Sequence, residues 1–271
     1  MMLFAAVSFA FFGAIVGSFL NVLVLRKGVK SLWGRSECPS CGRIIAWYDN
    51  IPVVSWLILR RRCRSCGSRI SAQYPLVEAV TATLFAFVGA ASPPDFLLSF
   101  ETTFVLAVQL VIVALLVAIT VYDLRHTIIP DEWSYGFSAL ALLVSFLSSP
   151  TFGTFISGPL CALPLFLLWL VSHGRWMGLG DPKLALGIGW LLGLPLGLIS
   201  VFSSFVLGSV VLLPLLAYER LVTHTKEGRE PGGGLTMKRE VPFGPFLIAS
   251  CFMFWLAQLY GVALPLYWLG I

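Results

Sequence analysis

The amino-acid sequence predicts an all-α polytopic membrane protein with about eight transmembrane helices and one small polar loop domain. Of its 271 residues, 58% are hydrophobic and only 11% are charged, whereas a soluble domain carries about 25% charged residues. The mean hydropathy is +0.90, and the apolar residues form blocks of about 20, the length that crosses a bilayer. These observations exclude a soluble enzyme, a secreted disulfide scaffold and a disordered chain.

Eight apolar blocks define the predicted membrane spans. In chain order they are Leu3–Leu25, Tyr74–Ala91, Phe100–Tyr122, Trp133–Leu147, Phe155–Ser172, Leu184–Leu192, Gly197–Tyr218 and Phe246–Leu269. The sixth block is short and close to the seventh, so one long broken helix is the alternative to two spans. That alternative gives seven spans and moves the C-terminus to the other side of the membrane.

The basic residues predict how the spans are oriented. All 18 lysines and arginines fall in four alternate loops, 26–73, 123–132, 173–183 and 219–240. Because Lys and Arg are enriched in cytoplasmic loops, these loops are expected on the cytoplasmic side and both termini on the other. The first span lacks a basic start, so we expect a retained anchor rather than a cleaved signal peptide. The net charge of +5 is therefore explained by basic residues in the loops expected on the cytoplasmic side. For this reason no nucleic-acid partner is expected.

Four of the six cysteines form two Cys-x-x-Cys pairs in the first cytoplasmic loop. The pairs are Cys38 with Cys41 and Cys63 with Cys66, separated by 21 residues. Two such knuckles can deliver four thiolates to one tetrahedral metal ion, and zinc is the best match. Two disulfides or four unlinked thiols are the alternatives, and the reducing cytoplasm disfavours disulfides. Four sulfur ligands close the coordination sphere, which favours a structural over a catalytic metal.

Two aspartates lie at the cytoplasmic ends of predicted spans, where acids are costly and are candidates for function. Asp123 ends the third span, where it opposes the negative end of the helix dipole. Asp181 follows Gly178-Leu179-Gly180 at the start of the sixth span. Asp181 also has a structural interpretation, because Asp before Pro182 is typical of a helix start with Asp as N-cap and Pro at N1.

The spans between these two aspartates cross the membrane and return, so both carboxylates are expected at the same face. Two carboxylates in one partly dry site cannot both ionise cheaply, so one can act as an acid and the other as a base. Such a pair can activate water against a peptide carbonyl. The spacing alone leaves three interpretations open: an aspartyl hydrolase, a cation- or proton-coupled transporter, and a pair of structural helix caps.

Motifs along nearly the whole chain resemble those of one family, the type IV prepilin peptidases, which are bacterial GxGD intramembrane aspartyl proteases. In order, these motifs are Gly17-Ser18-Phe19-Leu20-Asn21-Val22 with Arg26, Cys38-Pro39-Ser40-Cys41-Gly42, Trp47-Tyr48-Asp49-Asn50-Ile51-Pro52, Ser55-Trp56, the second cysteine pair, Tyr74-Pro75-Leu76-Val77-Glu78, Asp123-Leu124, Ile129-Pro130-Asp131, Gly178 to Lys183, and Pro242-Phe243-Gly244-Pro245-Phe246. One departure is the run Arg60-Arg61-Arg62, which has Arg where the family commonly has a Gly.

The resemblance implies a peptidase whose catalytic residues are Asp123 and Asp181. Members of the family remove a short basic leader from type IV prepilins and type II secretion pseudopilins on the cytoplasmic side. Members with the four-cysteine loop generally also methylate the new N-terminus with S-adenosylmethionine. Both activities are therefore expected here, and a peptidase without methyltransferase activity is the alternative. No Gly-rich loop in the sequence identifies a methyl-donor site.

The same resemblance predicts how the chain is divided and where it is found. Residues 1–73 are expected to form the first helix and a methyltransferase-associated zinc loop, and residues 74–271 the peptidase core. The expected location is the bacterial inner membrane, with several spans and with the active site facing the cytoplasm. The expected partners are the lipid bilayer and the prepilin substrates.

Overall fold

A computed structural model describes residues 2–28, 34–92, 99–148, 150–224 and 241–262, without the side chains of Met2 and of residues 219–224. The regular elements in these ranges are helices, accompanied by two isolated β-bridges. This result confirms the all-α prediction for the described residues. By their internal contacts the residues form two compact units, Met1–Val121 and Tyr122–Ile271.

The first unit is built on two long helices, α1 (Met2–Arg26) and α3 (Gln73–Ala90), which pack closely along each other. Glycines in α1 permit this approach. A Cβ atom at Gly13 would lie 2.8 Å from the carbonyl oxygen of Thr81, and one at Gly17 would lie 2.8 Å from the Cα atom of Glu78. The two glycines form a Gly-x-x-x-Gly pattern, which is typical of membrane helices in close contact.

The four-cysteine loop lies between these two helices in the chain. It contains a short 3-10 helix, Trp47–Asn50, and a five-residue helix α2, Val54–Ile58, and neither has a buried residue. Asp49 in the 3-10 helix accepts hydrogen bonds from Arg64 at 2.7 and 2.9 Å. Because the loop has so little core, its fold needs another source of stability.

In its described residues, the second unit is a bundle of five helices that follow the end of α4 (Phe100–His126). They are α5 (Asp131–Ser148), α6 (Phe152–Ser172), α7 (Gly180–Leu192), α8 (Leu196–His224) and α9 (Gly244–Leu259). Helix α7 packs against all four others. A Cβ atom at Gly187 would collide with the ring of Phe137, and one at Gly189 would lie 2.5 Å from the carbonyl oxygen of Ser157. These glycines therefore let α5 and α6 close on α7.

Among the described residues, four helices are long and apolar enough to cross a membrane, which supports a multi-pass membrane protein: Leu3–Arg26, Phe100–His126, Phe152–Ser172 and Leu196–Tyr218. They match the first, third, fifth and seventh predicted spans. The other predicted spans fall on α3, α5, α7 and α9, and their crossing of the membrane stays a prediction.

The structure has two helices, α7 and α8, where the sequence left one broken helix as an alternative. Helix α7 ends at Leu192, and Gly193 with a φ of 70° turns the chain before α8 begins. With 13 residues, α7 extends about 20 Å, which is less than the roughly 30 Å thickness of the hydrocarbon core. The end of the eighth predicted span, beyond Val262, and residues 225–240 of the last basic loop lie outside the described residues.

Candidate active site and metal centre

Asp123 lies in the last turn of α4, and its side chain is only 3% exposed. Its Oδ2 atom accepts a hydrogen bond of 3.1 Å from the backbone amide of Gly244. Because Gly244 is the first residue of α9, the positive end of the α9 dipole faces this carboxylate. The N-terminus of α9 thus offsets the unfavourable position of Asp123 at the C-terminal end of its own helix.

Gly244 contacts Asp123, and the sequence by itself did not reveal this contact. A Cβ atom at this position would lie 2.5 Å from Asp123 Oδ2 and 3.3 Å from Ile129 Cδ1. Only a glycine therefore lets the start of α9 approach the carboxylate. The available signal was the run Pro242-Phe243-Gly244-Pro245, which indicates a helix start but not the acid that this start contacts.

Asp181 lies in the first turn of α7 and is 7% exposed. The helix begins at Gly180, and its N-cap is Leu179, which makes no side-chain capping bond. Asp181 therefore occupies the second helical position and Pro182 the third. The structural interpretation of Asp181 as an N-cap with Pro182 at N1 is wrong, because the helix begins before both residues.

The carboxylates of Asp123 and Asp181 are close enough to interact electrostatically. Among the described residues no basic side chain pairs with either of them, and nearby Lys183 instead binds Asp131 at 2.7 Å. Two buried carboxylates without a cation cannot both be ionised at low cost. The pair is therefore expected to share a proton, which gives one acid and one base in a single site.

Ile129 belongs to the motif Ile129-Pro130-Asp131 and contacts two other motifs that are distant in the sequence, those of Gly180 and Gly244. A Cβ atom at Gly180 would lie 2.9 Å from Ile129 Cβ, and Ile129 Cδ1 also borders the position of Gly244. Gly178 has more room, because its Cβ atom would have no neighbour closer than 3.9 Å. The two glycines of the GxGD motif thus differ: Gly180 is fixed by packing against Ile129, and Gly178 is not.

The four cysteines of the loop lie on two knuckles with the same backbone pattern. In each knuckle the amide of the first cysteine donates to the carbonyl oxygen five residues later, at 3.0 Å for Cys38 and 2.8 Å for Cys63. The glycine after each pair has a left-handed backbone, with a φ of 68° at Gly42 and 71° at Gly67. Glycine adopts this conformation without a steric penalty, which explains why a glycine follows each pair.

The sulfur atoms of Cys38, Cys41, Cys63 and Cys66 all lie within 4.8 Å of one another. The Cys38 and Cys66 sulfurs are 3.9 Å apart, close to the roughly 3.8 Å between sulfurs around a tetrahedral zinc with 2.3 Å bonds. The amides of Cys41 and Ser40 lower the pKa of the Cys38 thiol to about 6, which favours the metal-binding thiolate. All six cysteines of the chain are free thiols, which does not support the disulfide alternative, and the cluster of four fits a zinc ion.

Both parts of the chain match known family models. Residues 11–91, which include the four cysteines of the loop, match the bacterial peptidase A24 N-terminal domain. Residues 110–213, which include Asp123 and Asp181, match the type IV leader peptidase family. No solved structure matches the chain.

Curated relatives match over most of this chain. A prepilin leader peptidase/N-methyltransferase of Myxococcus xanthus is 36% identical over 82% of this chain and 67% of its own length. A protein with the same name from Dichelobacter nodosus is 30% identical over 92% of this chain and 90% of its own length. Another, from Bacillus subtilis, is 31% identical over 92% of this chain and 92% of its own length. With both of its parts matched, and with two of these relatives covered over at least 90% of their length, the chain belongs to the type IV leader peptidase family.

Proposed function

We propose that this protein is a bifunctional enzyme of the bacterial inner membrane. It removes the leader from type IV prepilins and type II secretion pseudopilins and then methylates the new N-terminus. The observation that carries the proposal is the pair of buried, interacting carboxylates of Asp123 and Asp181 in a chain of the leader peptidase family. A transporter and a peptidase without methyltransferase activity are not favoured, because the relatives are named for both activities.

Peptide cleavage uses the two aspartates as one acid–base unit. The ionised carboxylate takes a proton from a water molecule, whose oxygen attacks the carbonyl carbon of the scissile peptide bond. The protonated carboxyl group donates its proton to the carbonyl oxygen, which gives a tetrahedral intermediate. When the C–N bond breaks, the first carboxyl group gives the proton it took from water to the leaving amine, and the second takes a proton back from a hydroxyl group of the intermediate. Because the two groups titrate together, these roles belong to the pair. The amide of Gly244 fixes Asp123 during these steps.

Methylation of the product uses S-adenosylmethionine as a second substrate. The lone pair of the neutral N-terminal amine attacks the sulfonium methyl group, the C–S bond breaks, and S-adenosylhomocysteine leaves as the amine loses a proton. The four-cysteine loop is the scaffold proposed for this reaction, in line with a division at residues 1–73 and 74–271. Cys38, Cys41, Cys63 and Cys66 would hold a structural zinc ion that joins the two knuckles.

The distribution of basic residues supports a cytoplasmic active site. Asp123 and Asp181 fall in or beside loops 123–132 and 173–183, which contain lysine or arginine, whereas the alternate loops contain none. Basic loops remain on the cytoplasmic side during membrane insertion. The leader of the substrate, which is cleaved on that side in this family, would therefore reach the aspartates from the cytoplasm.

Mass spectrometry of a co-expressed prepilin tests the proposed function. The expected product lacks the leader and is heavier by one methyl group. Cleavage without the methyl group would leave a peptidase and refute the second activity. Intact precursor across a panel of prepilins, with the enzyme folded in the membrane, would contradict the proposal as a whole.

Replacing Gly244 with alanine is expected to reduce leader cleavage by about 100-fold, because small misplacements of catalytic groups have effects of this size. The added Cβ atom would lie 2.5 Å from Asp123 Oδ2 and must push the carboxylate or the start of α9 away. The measurement is the initial rate of leader cleavage by purified enzyme. Gly208→Ala is the matched control, since its Cβ atom would meet its nearest neighbour, the Phe246 ring, at an ordinary 3.7 Å. Equal rates for the two variants would contradict the proposed role of Gly244.

The two glycines of the GxGD motif are expected to tolerate alanine unequally. Gly180→Ala forces a Cβ atom to within 2.9 Å of Ile129 Cβ, whereas Gly178→Ala meets nothing closer than 3.9 Å. We expect about tenfold or greater loss of cleavage for Gly180→Ala and near wild-type cleavage for Gly178→Ala. Cleavage rates and thermal unfolding of both variants in detergent provide the test, and the reverse order of activity would refute this packing argument.

A further inference from the structure

Glu78 is a buried carboxylate that the proposed chemistry does not use. It lies on α3 in the first unit, is 7% exposed, and belongs to a different unit from Asp123 and Asp181. Within the described ranges no lysine or arginine pairs with it. Because burial of an unpaired carboxylate is costly, its hydrogen bonds indicate what it does.

The main hydrogen bond of Glu78 reaches the four-cysteine loop. Its Oε2 atom accepts the backbone amide of Val53 at 2.7 Å, across 25 residues of sequence. Val53 is the N-cap of α2 and has a φ of 60° and a ψ of −50°, a conformation that is rare for a β-branched residue. Glu78 therefore holds the loop at a point where the backbone is unfavourable without support.

The carboxylate also lies where the loop, α1 and α3 meet. Ser18 on α1 also lies close enough to Glu78 for its hydroxyl group to affect the carboxylate. The neighbouring Gly17 brings α1 so close that a Cβ atom there would lie 2.8 Å from the Cα atom of Glu78. One side chain thus contacts both helices of the pair and the loop that connects them.

From this geometry we propose that Glu78 is a positioning residue that fixes the four-cysteine loop to the α1–α3 pair through the amide of Val53. The proposal rests on the proposed function in one respect, the assignment of methyl transfer to this loop. A fixed loop orients its reacting partners, and the loss of such orientation lowers a rate without removing any reacting group. The effect is expected on methylation and not on cleavage, because both aspartates belong to the other unit.

The test compares Glu78→Ala, Glu78→Gln and the wild-type full chain with its metal bound. For Glu78→Ala we expect the amide of Val53 and its neighbours in α2 to exchange hydrogen about tenfold or more faster. The methylated fraction of the product should fall by about tenfold or more, with cleavage unchanged. Glu78→Gln keeps an oxygen that can accept the Val53 amide, so both properties should recover toward wild type.

Thr81→Val is the control for folding of the helix pair. Thr81 is fully buried on α3 one turn after Glu78, and its hydroxyl donates to the carbonyl oxygen of Val77 in the same helix. This variant should leave both the exchange of Val53 and the methylated fraction as in wild type.

Three results would overturn the proposal. The first is unchanged exchange at Val53 in Glu78→Ala, and the second is a parallel loss of cleavage and methylation. The third is a glutamine variant as defective as the alanine variant, because the charge and not the hydrogen bond would then be needed. A wild-type enzyme that methylates no prepilin would instead refute the proposed function, while the exchange measurement would still test the contact itself.

Discussion

Replacing either Asp123 or Asp181 with asparagine should abolish leader cleavage while leaving the fold intact. Each substitution keeps the shape of the side chain but removes the acid or base that the reaction needs, so we expect a loss of about 10³-fold or more. An asparagine at position 123 can still accept the amide of Gly244 through its side-chain oxygen. The measurement is the rate of cleavage of a purified prepilin by each variant in detergent or lipid.

The thermal stability of the same variants separates a catalytic from a structural role. The two carboxylates are 3% and 7% exposed, and among the described residues no cation pairs with either, so their mutual electrostatic interaction disfavours ionisation of both. Removing one charge should therefore leave the unfolding temperature unchanged or raise it, as when a functional site is relieved of strain. A purely structural acid would instead lower the unfolding temperature when replaced.

Glu132→Gln is the matched control for this prediction. Glu132 is an exposed acid in the first turn of α5, so its substitution removes the same charge close to the site in sequence. We expect near wild-type cleavage from this variant. Substantial residual cleavage by Asp123→Asn or Asp181→Asn, in a preparation free of wild-type enzyme, would contradict the two-aspartate mechanism.

The features that the sequence predicted correctly depend on local patterns. Apolar blocks predict helices because a segment in lipid must satisfy its backbone hydrogen bonds internally. The two cysteine pairs predict a cluster because each knuckle is a short turn, and its geometry is set by the residues within it and by Gly42 or Gly67. Positive charges between spans also predict an orientation without any knowledge of how the helices pack, and that orientation stays a prediction.

The features that escaped prediction depend on contacts between distant segments. The amide of Gly244 binds Asp123 across 121 residues of sequence. Because the donor is a backbone amide, the residue type at position 244 does not reveal this hydrogen bond. The central position of the short α7 is likewise visible only once Gly187 and Gly189 are seen to lack room for side chains. In both cases the signal in the sequence is a glycine, and a glycine does not indicate which distant residue packs against it.

Loss of the metal from the four-cysteine loop should unfold the loop and abolish methylation while cleavage persists. Neither the 3-10 helix nor α2 has a buried residue, so the thiolate cluster replaces a hydrophobic core. A structural zinc ion contributes about 10–16 kcal/mol of apparent free energy to the folding of small zinc domains, more than such a loop can obtain otherwise. Cys66→Ser, which removes one of four ligands, should therefore have nearly the effect of a strong chelator.

Limited digestion by trypsin measures this unfolding directly. The run Arg60-Arg61-Arg62 precedes the second knuckle, and both Arg60 and Arg61 have positive φ values, at 47° and 63°. This strained backbone can persist only while the surrounding structure holds it. In Cys66→Ser, or after chelation, we expect cleavage at these arginines to be at least about tenfold faster than in the metal-bound wild type.

The control substitution is Ser40→Ala, which changes the first knuckle without removing a sulfur. It should retain one metal ion per chain, trypsin resistance and methylation. Because Asp123 and Asp181 belong to the other compact unit, leader cleavage should continue in Cys66→Ser even when its loop is digested. If Cys66→Ser kept its metal and its methylation, the cluster would not be the structural centre proposed here. If Cys66→Ser lost leader cleavage as well as methylation, the peptidase would also need the loop. The assignment of the two activities to separate parts of the chain would then be wrong.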